Sequence, residues 1–414
     1  MKSYKINSKT SRKKLLVVYS TYLGNTGDAV NERQLINHLC KQFISKFNGK
    51  CYVFYNLSLK MLFKYNKFRA QLQVLEGVTY IPILLTGIVS TYYIFSSFFS
   101  LVIALAVYLY SFFTKHEVCI YVRNSWNALG FLLMPMLRNR TLVKLVSLGE
   151  EEVTVINFVK RFIISADRHA LARARIVGLV SPLLLKYLVF RRGVIPSGSV
   201  VAITPGIDLQ KVSKIMTKGS NGVFSNEFVV AFVGSLVWWQ GIDVVVKAVS
   251  LLRRLDVGKR IKLVIVGDGP DRRKIEILCN KLGVNCEMVG SLPHFEALKV
   301  LARSHVLVLP RPKTLVTESV LPIKIIEAWA LGVPVIATDH EIFKFYGIRD
   351  REHILFCKPE PSDVAKKIIE LLYDKSLYFR LSTNSRKIAE KFDYQKIANI
   401  LLERLLNVCT NKTI

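Results

Sequence analysis

Short runs of consecutive apolar, often β-branched residues alternate along this chain with longer stretches in which apolar positions recur every three or four residues. The runs Leu15–Ser20, Cys51–Tyr55, Val118–Arg123, Leu142–Leu148, Ile176–Val180 and Val200–Thr204 have no polar face, and neither do Phe228–Val233, Ile261–Val266, Val306–Leu309, Val333–Ala337 and Ile354–Cys357. Strands of this kind belong to parallel sheets covered on both sides. The helical periodicity falls between them, for example at Ala29–Phe47, Ile242–Leu255, Arg272–Leu282, Glu296–Arg303, Ser362–Tyr373, Leu377–Lys391 and Tyr394–Asn407. Alternation of this sort predicts an α/β protein of doubly wound type. A chain of 414 residues exceeds what one core organises, so two domains are expected. The apolar pattern thins around Pro205–Asn226, where Gly206, Gly219, Asn221 and Gly222 mark a linker.

The stretch 306–338 organises the second half. Val306–Leu309 reads as a strand, followed by a loop carrying Arg311, Lys313 and Glu318. Pro322 fits the first position of a helix, Gly332 fits its C-terminal cap, and Val333–Ala337 resumes the sheet. The loop therefore lies at the carboxyl end of a parallel strand and over a helix N-terminus, where open α/β sheets take ligands. With Arg311, Lys313 and Lys324 around it, the ligand expected is an anion, above all a diphosphate. The first half opens similarly: a strand, the turn Gly24–Asp28, then a helix. Gly24 and Gly27 either let a backbone approach a ligand or simply form a tight turn.

Charge and hydropathy add a second theme. The formal net charge is +29, and from Met1 to Gly149 the only acids are Asp28, Glu32, Glu76 and Glu117. No charged residue occurs between Glu76 and Lys115, and Val78–Phe113 is rich in Tyr, Phe and Ser. That segment is expected to be a membrane-associating element sunk into one leaflet. A spanning hairpin and plain core helices remain open alternatives. The basic first third suits an anionic membrane surface; it would attract nucleic acid equally well, but no groove-reading or base-stacking module is evident, so no nucleic acid partner is expected. Seven scattered cysteines without a Cys-x-x-Cys pair suggest buried small hydrophobes, a reducing compartment and neither disulfide frame nor zinc site. The N-terminus is basic but lacks the apolar stretch of a signal peptide, so the cytoplasmic face of a membrane is the expected location.

Four pieces in order carry a resemblance: Thr204-Pro-Gly-Ile-Asp208, Phe232-Val-Gly-Ser-Leu-Val-Trp-Trp-Gln-Gly-Ile-Asp243, Val264-Ile-Val-Gly-Asp-Gly-Pro270 and the segment from Pro322 to Ala337. Together they resemble the C-terminal domain of family 4 retaining glycosyltransferases of the GT-B fold. The resemblance covers roughly residues 175 to 405, and the first domain only through its opening strand, loop and helix. It implies two Rossmann-like domains facing across a cleft: residues 15–207 for the acceptor, behind a basic tail at 1–14, and 208–390 for a nucleotide-diphosphate sugar (UDP or GDP). It also implies a closing segment, 391–414, that returns to the first domain. Front-face retention needs no protein nucleophile, because the departing phosphate can take the acceptor's proton. No metal or further cofactor is expected, since no carboxylate pair of the Asp-x-Asp kind occupies a suitable loop.

Carried over residue by residue, Glu327 matches the glutamate that takes the ribose hydroxyls. Glu318 is the candidate for the glutamate that holds the donor sugar, but eight residues separate the two where the family has seven. The strict position falls on Ser319. Ser235 and Gln240 stand where many members carry Arg or Lys, so Arg311 and Lys324 are expected to supply the charge on the diphosphate. Gly234, Gly241 and Gly267 are expected to let backbone approach the phosphates, beside Pro322 and Ile323 at the helix start. In the first domain Glu150, Glu151 and Arg123 are weaker candidates, and His294 and His340 lie in loops with no assigned role. The acceptor expected is a lipid-linked glycan or glycolipid. A nucleotide-sugar enzyme of epimerase type and a non-enzymatic cationic binder are the rival readings.

Overall fold

A computed structural model describes residues 13–21, 27–58, 74–85, 89–146, 156–216, 227–253 and 261–409. Seven parallel strands build the first sheet in the order β3-β2-β1-β4-β5-β6-β7. They are β1 (Lys14–Ser20), β2 (Lys50–Ser58), β3 (Val78–Leu85), β4 (Glu117–Arg123), β5 (Thr141–Leu145), β6 (Ile176–Leu179) and β7 (Ser199–Ala202). Its helices are α1 (Gly27–Phe47), α2 (Val89–Thr114), α3 (Ser125–Leu133), α4 (Pro135–Arg138), α5 (Asn157–Arg173) and α6 (Pro182–Arg192). Successive strand side chains point to opposite faces, and both faces are covered. Leu16, Val18, Cys119 and Tyr121 meet α1, whereas Leu15, Val17, Val118 and Ile120 meet α2, α3 and α6.

The second sheet has six parallel strands in the order β10-β9-β8-β11-β12-β13. They are β8 (Phe228–Val233), β9 (Ile261–Val266), β10 (Cys286–Gly290), β11 (Val306–Leu309), β12 (Val335–Thr338) and β13 (Leu355–Cys357). Its helices follow as α7 (Leu209–Met216), α8 (Ile242–Arg253), α9 (Arg272–Leu282), α10 (His294–Ala302), α11 (Leu315–Ser319), α12 (Ile323–Leu331), α13 (Glu341–Phe345), α14 (Pro361–Tyr373) and α15 (Lys375–Ala389). Ile207, leaving the first domain, pairs with Asp393, and Tyr394 donates its amide to the Ile207 carbonyl at 3.0 Å. The last helix, α16 (Tyr394–Cys409), then lies against α1 with Ile397, Leu401 and Leu405 buried in the first domain's core.

Four features differ from the sequence reading. The apolar segment 78–113 is not one element: Val78–Leu85 is an edge strand of the first sheet, and the rest forms α2, which connects β3 to β4. Strand β3 runs without a break in hydropathy into the apolar stretch of α2, so only its pairing with β2 distinguishes it. The loop after β11 contains helix α11, nucleated where the Thr314 hydroxyl accepts from the Thr317 amide at 3.2 Å. Pro322 caps α12 with extended backbone rather than occupying its first helical turn. A disulfide also joins Cys119 on β4 to Cys409 at the end of α16, their Cα atoms 5.5 Å apart, where no bridge was expected. The partners are 290 residues apart, so only the return of α16 to the first sheet brings them together.

Candidate active site

A cleft of about 490 Å³ opens at the carboxyl ends of β8 and β9, bounded by α10 and α12 and, across the domain boundary, by Val30 of α1. Gly234, Ser235, Gly267, Ile323, Lys324 and Glu327 all line it, so one wall gathers six of the residues singled out from the sequence. Gly234 and Gly267 form its floor with φ of 141° and 142°. A Cβ on Gly267 would collide with the Gly234 carbonyl, and one on Gly234 would collide with the Lys324 ammonium. Close approach of backbone thus requires Gly267, whereas Gly234 is required by its φ, since the Lys324 tip could swing aside. Their amides are already used, since Gly234 donates to the Val266 carbonyl and Gly267 to that of Gly290, each at 2.8 Å. Gly241 likewise donates to the Trp238 carbonyl at 3.2 Å. In the first turn of α12 the Ile325 amide donates to the Pro322 carbonyl at 3.1 Å, which leaves those of Ile323 and Lys324 without a helical acceptor.

Helix α12 is buried nearly all round, Trp329 included, which fixes its N-terminus against the cleft. Lys324 is half-buried in its first turn and donates to the Gln240 Oε1 at 3.1 Å. Burial and the nearby charge of Arg311 push its ammonium down to about 7, against the opposing pull of Glu327. Arg311 itself is buried, its guanidinium 5.1 Å from the Trp239 ring centre. It does not line the cavity; its charge reaches Lys324 from the side.

Glu327 lies one turn further along α12 and is 6% exposed. Its Oε1 is 2.6 Å from His294 Nε2, and His294 Nδ1 is 3.5 Å from the side-chain amide of Gln34 on α1. Gln34 can only donate from that nitrogen, so Nδ1 accepts and Nε2–H donates to the carboxylate. One carboxylate oxygen is therefore tied through His294 to Gln34 of the first domain, and Glu327 lines the cavity. The sequence pattern alone places His294 in a loop and assigns it no role. Its position as first residue of α10, beside a helix acid, needed the tertiary pairing to become visible.

Glu318 and Ser319 lie apart from this cavity, on α11. The Glu318 carboxylate accepts from the Glu341 amide at 2.5 Å and lies 3.4 Å from His340 Nδ1, so it caps α13. His340 is buried; burial and then Arg311 push its imidazole down to about 4, although Glu318 pulls the other way. Ser319 is buried, and its carbonyl accepts from the Ser181 hydroxyl of the first domain. Gly27 is the first residue of α1, while Gly24, Glu150 and Glu151 lie outside the described residues. Arg123 is buried with Lys144 around Glu32, whose Oε2 is 2.7 Å from the Lys144 ammonium. Burial raises the Glu32 carboxyl, but Lys144 and Arg123 outweigh it and hold the group below the usual range. Among the described residues no group of three His, Cys, Asp or Glu side chains is arranged to hold a metal ion.

Residues 214–388 match the family described as Glycosyl transferases group 1. Over 208 residues the chain is 24% identical to Uncharacterized glycosyltransferase MJ1069 of Methanocaldococcus jannaschii, covering 49% of this chain and 52% of that one. The chain spans about half the length of the curated relatives it matches. In fold it is similar to sucrose-phosphate synthase from Thermosynechococcus elongatus, with TM-score 0.70, 18% identity and coverage of 96% of this chain and 100% of that one. It is also similar to Anabaena Alr3699/HepE in complex with UDP and glucose, with TM-score 0.68, 14% identity and coverage of 95% and 100%. The chain therefore has the GT-B architecture, and its second domain carries both the sequence pattern and the fold of glycosyltransferases.

Proposed function

We propose that the protein is a glycosyltransferase that moves a sugar from a nucleoside-diphosphate donor to an acceptor held by the first domain. The carrying observation is the pair Lys324 and Glu327, one turn apart at the start of a buried helix and facing a cleft that both domains line. Its volume suits a small-molecule site. Expulsion of the diphosphate develops negative charge, which Lys324, the first-turn amides of α12 and the field of Arg311 stabilise. Glu327 offers an oxygen to the ribose hydroxyls. Retention follows if the departing phosphate accepts the acceptor's proton on the same face of the sugar. Complexes of HepE with UDP and with UDP-glucose favour a UDP-sugar over a GDP-sugar as donor. The acceptor we assign is a lipid-linked glycan or glycolipid, met at a membrane surface.

A thermal-shift panel of UDP, GDP, ADP and their sugars tests the donor site, because binding raises the melting temperature by mass action. UDP should shift the wild type and leave Glu327→Ala nearly unmoved. A panel without any shift would sink the assignment. Product analysis with donor alone separates a transferase, which yields at most slow hydrolysis, from an epimerase.

A further inference from the structure

Helix α2 is apolar on both faces. Its inward face packs Tyr93, Ile103, Ala104 and Val107 into the domain and also carries Ser96, Ser97, Ser100 and Ser111, all buried, whose hydroxyls bond within the protein. Ser100 donates to the Asn127 carbonyl at 2.6 Å and accepts from the Gly130 amide at 2.9 Å; Ser96 accepts from Asn56 at 2.8 Å. Its outward face carries Phe95, Phe98, Val102, Leu105, Leu109 and Phe112, with Phe113 at the end, and all are exposed. The last two are 63% and 77% exposed. A helix facing water is polar on its outer face, and an exposed apolar face of this length marks a contact with an apolar medium.

The surrounding charge says which one. Helix α2 packs beside α4 and α5. Lys115, Arg161, Arg168 and Arg173 are exposed around it and Arg138 and Lys160 are half-buried. Between residues 89 and 173 the sequence holds few acids: Glu117, paired with Lys14, Asp167, buried against Arg192, and Glu150, Glu151 and Glu152, which lie outside the described residues. A second copy of this chain would bring like charge to like, whereas an anionic leaflet complements it.

We infer that α2 docks the first domain on an anionic lipid leaflet, its apolar face in the acyl boundary and the cations around it at the headgroups. The helix lies in the interface and does not cross the membrane. At 26 residues it is about 39 Å long, enough to span, but β3 before it and β4 after it are parallel strands of one sheet. A crossover connection cannot put its two ends on opposite sides of a bilayer while both strands stay paired. The inference deepens the acceptor part of the proposed function, and its test is independent of catalysis.

Full-length protein is floated with phosphatidylcholine vesicles, with and without phosphatidylglycerol. The wild type should float with the anionic vesicles, be released by high salt and by alkaline carbonate, and stay below with phosphatidylcholine alone. Combined Phe98→Ser, Phe112→Ser and Phe113→Ser should lower partitioning by roughly a hundredfold or more, while the UDP-induced thermal shift persists and shows the fold intact. Lys115→Glu with Arg161→Glu should remove the preference for anionic lipid. Absence of wild-type flotation overturns the inference, as does resistance to carbonate. A dimer in light scattering that the serine variants dissociate would assign the face to a second copy and overturn it too.

Discussion

Replacement of Lys324 by Met should move stability and donor binding in opposite directions. The ammonium is held at about 7 against an ordinary 10.5. The unfolded chain thus binds the proton more tightly than the fold between those values. By linkage the cost to stability is fully present below pH 7 and disappears as pH rises toward 10.5. A shift of that size would be worth several kcal/mol for a sealed site; discounted for the open cleft, about 2 kcal/mol remains. Met should therefore raise the melting temperature at pH 7 by roughly 5 °C. Binding runs the other way. An ammonium and a phosphate about 4 Å apart interact by about 4 kcal/mol at an effective dielectric of 20, and charging the lysine costs about 1.4 kcal/mol for each pH unit above 7. Net, UDP affinity should drop roughly a hundredfold in the variant. Calorimetry in buffers of different ionisation enthalpy should show the wild type taking up about half a proton at pH 7 and nearly one at pH 8 as UDP binds. Affinity should weaken as pH rises above 7, and Met should abolish that dependence. A variant that melts lower yet binds UDP normally would show that the ammonium merely ties α12 to Gln240, and the reasoning fails.

Two further outcomes follow from neighbouring groups. His294→Ala releases one oxygen of Glu327, a charge-assisted bond of about 1.5–3 kcal/mol, so the donor KM should rise about tenfold or more with kcat changed less. His294→Gln, which keeps a donor, should recover most of the loss; equal damage from both would point to packing instead. His340, held at about 4 while an unfolded histidine titrates near 6.5, contributes stability that is present above pH 6.5 and lost as pH falls toward 4. His340→Gln should flatten the fall in melting temperature across that window, as thermal scans of both proteins would show.

The sequence by itself determined the layering. Runs such as Leu15–Ser20 and Ile261–Val266 have no polar face, and only a parallel sheet covered on both sides accommodates them. It also brought together four residues of the cavity lining, because Gly234, Gly267, Lys324 and Glu327 are near neighbours of strand ends and of one helix start, where local pattern suffices. Pairings between distant segments were decided only by the tertiary structure. His294 found Glu327 and Gln34 across two elements and a domain boundary, Glu318 became a cap for α13, and Cys119 met Cys409 when α16 returned. The uncharged segment shows the division most plainly: its hydropathy was legible, but which face of α2 turns outward depends on Ser100 closing on Gly130. Local composition sets what an element prefers to bury, whereas the partner it buries against is fixed only when the sheet brings the elements together.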